Sequence, residues 1–474
     1  MSSEMKQDGL LRVRDMAGRF YVCSFADCIG KGGQGQVLRA RGDRYTAVKI
    51  ACRENIPLQD AASIEMYQRE MKRIRSLPVP SSLRLSMPVA VLQDAAGYVM
   101  LLLGRMESLT RLIPSKWKED DLREVPIPDW LRKADEQFAR QLALYARTGG
   151  LRMRLDVLRQ VAATLARLHA NGIVFGDLSP NNVQVSTGGK REAWLIDIDN
   201  LCYEGLGKGV YTPGYCAPEL YTGECGVSLA SDAYSFALLA FELLSMLHPF
   251  YDGKAVDEDA WDGDAQQRAN SGELPWIDDT QDSSNHQEDR SPLLDYVLSR
   301  PLHTLFQQTF SKEGRNVPHY RPPLWMWHSA LAWSLDQTVS CPACGMSWIT
   351  AEHEEPACPF CNAALPMILE ARAGERVLFA HEILSDGEFF LPRRLFGLSP
   401  LALDKPLIRV CRKGDQLELS VLDENVRMRR ASGEETLRPC PSGLKCSLQE
   451  LRGGMRFFLD APGAWEILLR ERLS

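Results

Sequence analysis

No run of apolar residues in this chain is long enough to cross a bilayer. The longest, residues 234–247, has 14 members with Glu242 among them, short of the ~20 that a spanning helix needs, and it reads as a buried helix. Basic charge is short as well. The 55 Lys and Arg stand against 62 Asp and Glu, a net charge of −7, the wrong sign for a protein that holds nucleic acid by its overall field. No apolar stretch follows the first residues, where Glu4, Lys6, Asp8, Arg12 and Arg14 are crowded together; this predicts a cytoplasmic chain, with neither export nor a membrane partner. Internal repeats and low-complexity tracts are also lacking.

What is present is ordinary in amount and specific in pattern. Hydrophobic residues make up 45% and charged residues 25% of 474, as in folded globular proteins, and at roughly 150 residues per domain two to four domains are expected. The 13 Cys are odd in number. Nine are scattered singly and four form two Cys-x-x-Cys pairs, which fits metal binding in a reducing compartment better than a disulfide framework.

Three unequal parts follow from the periodicity. Residues 20–28, 35–40, 45–52 and 98–103 alternate as strands, and 60–77 has helical spacing at Ile64, Tyr67, Met71 and Ile74. From 151 the character becomes helical: Leu151, Leu155, Leu158, Val161, Leu165 and Leu168 form one stripe that stops at Asn171-Gly172. The stretches 114–128 and 251–290, the second strongly acidic, read as surface insertions. Beyond 335 come the Cys pairs and then short strands (407–411, 417–421, 426–430, 465–469) that predict a β-sandwich or barrel.

Several constellations carry chemistry. Gly30-Lys31-Gly32-Gly33-Gln34-Gly35-Gln36-Val37 lies between two predicted strands, a setting that suits a flap whose backbone N–H groups cover nucleotide phosphates. Lys49, in Ala47-Val48-Lys49-Ile50, sits in an apolar strand, where an ammonium needs an anionic partner. A nucleotide phosphate and a helix glutamate both qualify; Glu70 is the preferred glutamate, ahead of Glu65. Cys341-Pro342-Ala343-Cys344 and Cys358-Pro359-Phe360-Cys361 can give four thiolates to one tetrahedral Zn²⁺, a structural site because no position is left open for water. His353, between the pairs, reads as a surface histidine.

The order of these signals resembles the eukaryotic-type Ser/Thr protein kinases. Phe175-Gly176-Asp177-Leu178-Ser179-Pro180-Asn181-Asn182 is similar to that family's catalytic loop, Asp197-Ile198-Asp199 stands where it has D-F-G, and Ala217-Pro218-Glu219 closes an activation segment. Asp232 and Arg321 match the aspartate that opens the central helix and the arginine that pairs Glu219. The resemblance implies a two-lobed α+β kinase fold binding ATP and Mg²⁺ and acting on protein hydroxyls. Asp177 would be the base, Lys49 and Glu70 the ion pair, and Asn182 and Asp197 the Mg²⁺ ligands. Ile29, Gly30, Gly32, Gly33, Gly35, Val37, Ala47 and Lys49 would contact the nucleotide.

The implied boundaries are 18–106 for the N-lobe, 107–337 for the C-lobe, 338–366 for a zinc ribbon and 370–474 for a β-rich domain. The last is reminiscent of forkhead-associated domains but lacks their phosphothreonine-reading residues. This order also looks like bacterial kinases encoded beside a phosphatase and a von Willebrand A-type protein, which are the partners it suggests.

Departures from the pattern leave a pseudokinase scaffold and a small-molecule kinase as competing readings. Gly176 replaces an arginine, Ser179 the lysine that reaches the γ-phosphate, and Asp199 the last glycine of D-F-G. Without the arginine, activity is expected not to require phosphorylation of Tyr211 or Thr212.

Overall fold

The structure is a computed structural model that describes residues 10–32, 35–53, 56–102, 104–188, 191–207, 211–256, 263–287, 289–351, 356–384, 387–397, 405–432, 436–439, 444–460 and 466–471. The chain forms two compact units. The first comprises Met1–Lys116, Val157–Arg290 and Leu305–His328; the second comprises Trp117–Asp156, Ser291–Thr304 and Ser329–Ser474. The contacts thus divide the region read as C-lobe, and three of its segments group with the cysteine pairs and the strands after them.

The first unit opens with an antiparallel sheet. Strands β1 (Leu10–Arg14), β2 (Phe20–Gly32), β3 (Gly35–Ala40), β4 (Thr46–Arg53), β5 (Ile56–Pro57), β6 (Ala90–Val91) and β7 (Gly97–Leu101) are ordered β1-β2-β3-β4-β7-β6, with β5 paired to β4. Side chains alternate along a strand, so Val48 and Ile50 of β4 join Val13, Cys23, Leu38 and Val99 in one core while Lys49 faces the other way. Helix α1 (Ala61–Arg75) covers that second face with the buried side chains of Met71 and Ile74. The side chain of Asp60 starts this helix by accepting from the Ser63 N–H at 2.8 Å, which satisfies one of the amides that helix geometry leaves unpaired.

The apolar run predicted to be a buried helix is the helix Leu229–Ser245, begun by a Ser228/Ser231 capping box and buried from Ser231 to its end. Its internal charge, Glu242, is neutralised by Lys116 Nζ at 2.8 Å and accepts from the Tyr215 hydroxyl. Phe241 packs edge-on against Phe306 and Trp276, with ring centroids 5.3 and 5.6 Å away. Trp276 corrects the reading of 251–290 as a surface insertion: it is fully buried, as is Asn285. The acidic residues had suggested solvent, but Asp279 is itself buried and faces Arg315 at 3.6 Å. Likewise Leu122 and Val125, within 114–128, are core residues of the second unit.

Arg321 and Glu219, 102 positions apart, form a bidentate pair with both N···O distances at 2.8 Å and the guanidinium fully buried. Removing one partner leaves a buried charge unpaired. Arg321→Ala is expected to lower stability by about 3–5 kcal/mol in urea denaturation at neutral pH, and a loss under about 1 kcal/mol would contradict that role.

The second unit contains, among the described residues, a two-stranded sheet (Thr338–Ser340 with Ser347–Ile349) and two larger antiparallel sheets. One is ordered Arg376–Glu382, Ile368–Ala373, Ile467–Glu471, Met455–Asp460, Arg427–Ser432, Thr436–Pro439; the other Glu388–Pro392, Pro406–Lys413, Gln416–Val421, Leu444–Ser447. Leu369 and Phe457 of the first sheet share one core with Leu391, Val410 and Leu419 of the second. The unit also includes the first turn of the helix Gly150–His169. There Arg152 holds Glu382 with two bonds of 2.5 and 2.6 Å, donates from its guanidinium to the Thr338 carbonyl at 2.5 Å, and donates its backbone N–H to Ser347 Oγ at 3.1 Å. Burial pushes the Glu382 carboxyl up, but this guanidinium outweighs it and the net pKa is lowered.

Candidate active site and candidate metal centre

The glycine-rich segment closes β2 onto β3, with Gly30 opposite Val37, Lys31 opposite Gln36 and Gly32 opposite Gly35. Gly33, named with these as a nucleotide contact, lies outside the described residues. A Cβ on Gly35 would stand 2.8 Å from the Ile50 carbonyl oxygen and 3.1 Å from Lys49 Cε, so the backbone passes over the lysine only because no side chain is there. Ala47 is fully buried and Ile29 is exposed.

In the strand registers Lys49 lies between Val37 and Tyr98. Its ammonium reaches Asp197 Oδ1 at 2.5 Å and Asp199 Oδ2 at 3.0 Å. Burial opposes the charge, but the acidic groups of Tyr98, Asp199 and Asp197 outweigh it and hold the lysine pKa above its usual value. Glu70 does not join this pair. Its carboxylate accepts from Arg73, with Nε at 3.0 Å, and is nearly half exposed. Tyr67, Met71 and Ile74 occupy the inward face of α1, so Glu70 falls at its edge, where an i, i+3 guanidinium in partial solvent spares it desolvation.

Asp177 is held in a backbone frame. Asp232 accepts from the N–H groups of Phe175 at 2.7 Å and Gly176 at 2.9 Å and contacts His169 Nε2 at 3.0 Å. Gly176 has φ +86°, and a Cβ there would stand 3.2 Å from Asn200 O, so the arginine that resemblance would place in this turn would be strained. Asp177 Oδ1 accepts from both the Thr212 N–H (2.9 Å) and its hydroxyl (2.8 Å), and Asn182 Nδ2 bonds the Asp177 carbonyl at 2.8 Å and Oδ2 at 3.3 Å. Burial, with the charge of Asp197, raises the Asp177 pKa despite these bonds. Asp197 adopts the left-handed region at φ +59°, a conformation that side chains other than glycine take up only where the surroundings enforce it.

Asp197 and the Asn182 amide offer hard oxygen donors, and the two carboxylates of Asp197 and Asp199 facing one lysine leave an excess of negative charge. That donor set fits Mg²⁺. Ser179 offers no substitute for the missing phosphate lysine, since it is fully buried and its hydroxyl has no partner among the described residues. Phe175, Ile198 and Ile74 are all fully buried.

The sequence reading missed Tyr67 and Thr212 as site residues and took Asp199 only as a lost glycine. A tyrosine on the apolar stripe of α1 was the available signal, because a buried phenol seeks a partner; its hydroxyl donates to Asp199 Oδ2 at 2.9 Å.

The second centre is in the second unit. Sulfurs of Cys341, Cys344, Cys358 and Cys361 lie within 4.8 Å of one another, with Cys341–Cys361 and Cys344–Cys358 at 3.7 Å. Zn–S bonds of about 2.3 Å in a tetrahedron put sulfurs about 3.8 Å apart, so the four fit zinc. Both knuckles turn alike: Gly345 and Asn362 have positive φ and donate N–H to Cys341 O and Cys358 O, each at 2.9 Å. His353 lies outside the described residues.

Residues 24–312, more than half of the chain, match the family described as protein kinase domain. The chain is 36% identical over 102 residues to calcium/calmodulin-dependent protein kinase type IV of Mus musculus, covering 20% of this chain and 22% of that protein. It is 36% identical over 105 residues to serine/threonine-protein kinase PkaA of Streptomyces coelicolor (21% and 19%). With serine/threonine-protein kinase PknD of Chlamydia trachomatis it shares 23% over 258 residues (47% and 24%). The chain thus spans less than a quarter of the length of these curated relatives. Among solved structures, a rhoptry antigen kinase domain of Toxoplasma gondii aligns with a TM-score of 0.42 at 16% identity, covering 70% of this chain and 88% of that one. No described helix is long and apolar enough to cross a membrane. With the lysine strand, the Asp177 loop and the Asp197 turn all inside the matched region, the chain belongs to the protein kinase family.

Proposed function

We propose that the chain is a Ser/Thr protein kinase that transfers the γ-phosphoryl group of Mg²⁺-bound ATP to protein hydroxyls. The observation that carries this is the Asp177 carboxylate: Thr212 occupies Oδ1, which leaves Oδ2, beside Asn182, for an acceptor hydroxyl. When bound, Mg²⁺ supplies neutralisation of the phosphate charge, and Asn182 and Asp197 would hold it. Lys49 binds phosphate oxygens, the strand pair around Gly30–Gly35 covers them, and Asp177 orients the hydroxyl and accepts its proton. Because the Thr212 hydroxyl is bonded to Asp177, a phosphate on it would break that frame, which supports activity without phosphorylation there. The four cysteines are proposed to hold one structural Zn²⁺, and the ribbon and β sheets to serve as protein-binding modules.

The test is incubation of the full chain with labelled Mg²⁺-ATP and a mixture of protein acceptors. Acid-stable label on serine and threonine is expected. Nucleotide binding without any transfer to protein would reject the reading in favour of a scaffold.

A further inference from the structure

We propose that Asp199, seated by the Tyr67 hydroxyl, is the positioning carboxylate that holds Lys49 toward nucleotide phosphates, in the part that resemblance gives to a glutamate of helix α1. The inference rests on the protein kinase reading above and concerns this chain's own arrangement of that site.

Three observations carry it. Lys49 has two carboxylate partners, and they are not equivalent. Asp197 is 30% exposed and is the one offered to a metal ion, whereas Asp199 is 11% exposed. Once Asp197 turns to a cation, the buried ammonium would keep no counter-charge unless Asp199 stayed with it. Second, helix α1 meets this pair through Tyr67, whose hydroxyl donates to the same Oδ2 that Lys49 contacts, at 2.9 and 3.0 Å. Third, Glu70 is turned away and bound to Arg73, which also donates to the Leu201 carbonyl at 2.6 Å. The carboxylate has therefore moved from the helix to the turn Ile198–Asn200, two residues past Asp197. A shift of α1 would break a neutral hydroxyl contact, not the ion pair itself, so Lys49 stays oriented over a wider range of helix positions.

The experiment uses full-length chain with Asp199→Asn, Tyr67→Phe or Glu70→Gln, each checked for folding by circular dichroism. Affinities for Mg²⁺-ATP and for adenosine are measured together with kcat and KM on a protein acceptor. Asp199→Asn is expected to weaken Mg²⁺-ATP binding about 100-fold and Tyr67→Phe about tenfold, both more than Glu70→Gln. Adenosine, which has no phosphate, should lose less than about twofold, a split that a merely structural role would not produce. If Asp199→Asn does not fold, Tyr67→Phe, which deletes one oxygen, carries the test. A larger loss in Glu70→Gln than in Tyr67→Phe, or parallel loss of ATP and adenosine, would overturn the proposal. Wild-type chain that binds no Mg²⁺-ATP would instead reject the kinase reading on which the proposal stands.

Discussion

On the proposed function, Asp177→Asn is expected to slow phosphate transfer to protein by about 10²–10⁴-fold, the usual contribution of a positioned base, while Mg²⁺-ATP affinity stays close to that of the unaltered chain. Asparagine keeps the shape, and its amide oxygen can still accept from the Thr212 N–H and hydroxyl that fill Oδ1. What disappears is the negative oxygen beside Asn182, so the acceptor hydroxyl loses the group that orients it and takes its proton. Asp197→Ala fails differently. It removes a proposed Mg²⁺ ligand and the 2.5 Å partner of Lys49, so affinity and rate fall together. Filter-binding and radiolabel transfer on the same preparations separate the two cases. Equal transfer by Asp177→Asn and wild type would remove Asp177 from the chemistry.

Replacing Cys341 by Ser is expected to unfold the proposed zinc site and loosen the sheet beside it. Structural zinc contributes about 10–16 kcal/mol of apparent binding energy in small zinc domains, more than most whole domains have as net stability. With three thiolates left, most of that contribution is lost. The damage is not confined to the knuckles: Cys341 and Cys358 share one buried cluster with Val339, Trp348, Ile368 and Ala380, and Tyr296 and Phe360 pack against it. Ile368 and Ala380 belong to the first two strands of the larger C-terminal sheet. Hydrogen exchange should therefore accelerate across 338–382, Trp348 emission should shift toward that of solvated indole, and elemental zinc should fall from about one per chain toward zero. Cys225, which is exposed, provides the matching substitution. Unchanged exchange in Cys341→Ser would show that the cluster stands without metal.

The legible parts of this molecule were those where one residue type meets a demand that few others can meet. The four-cysteine spacing and the lysine buried in a strand were readable because thiolates and buried charges constrain their surroundings strongly, whereas the Arg321–Glu219 pair was implied only by the resemblance to kinases. The partner of Lys49 was not readable, because choosing it requires the rotation of α1. Glu70 and Tyr67 are three residues apart on adjoining faces, and only the packed positions of Met71 and Ile74 decide which one points inward. The grouping of residues 117–156 with the cysteine pairs was hidden for another reason. Its long-range bonds include those of Arg152, one arginine among many in the sequence, whose partner is 230 positions away. Trp276 was misjudged because acidic neighbours were weighed more heavily than one large ring.

The reach of Arg152 also sets an order of events during synthesis. Its helix turn leaves the ribosome well before Thr338, Ser347 and Glu382 exist, and at about 5–20 residues per second the 230 positions to Glu382 amount to about 10–50 s of translation. For that interval a guanidinium that ends three-quarters buried stays in water, although the lysine strand and the Asp177 loop are already made. The nascent chain therefore passes through a stage in which Lys49, Asp177 and Asp197 are all made while Arg152 still lacks Thr338 and Glu382. Any helper that shelters this protein as it is born would meet it in that form.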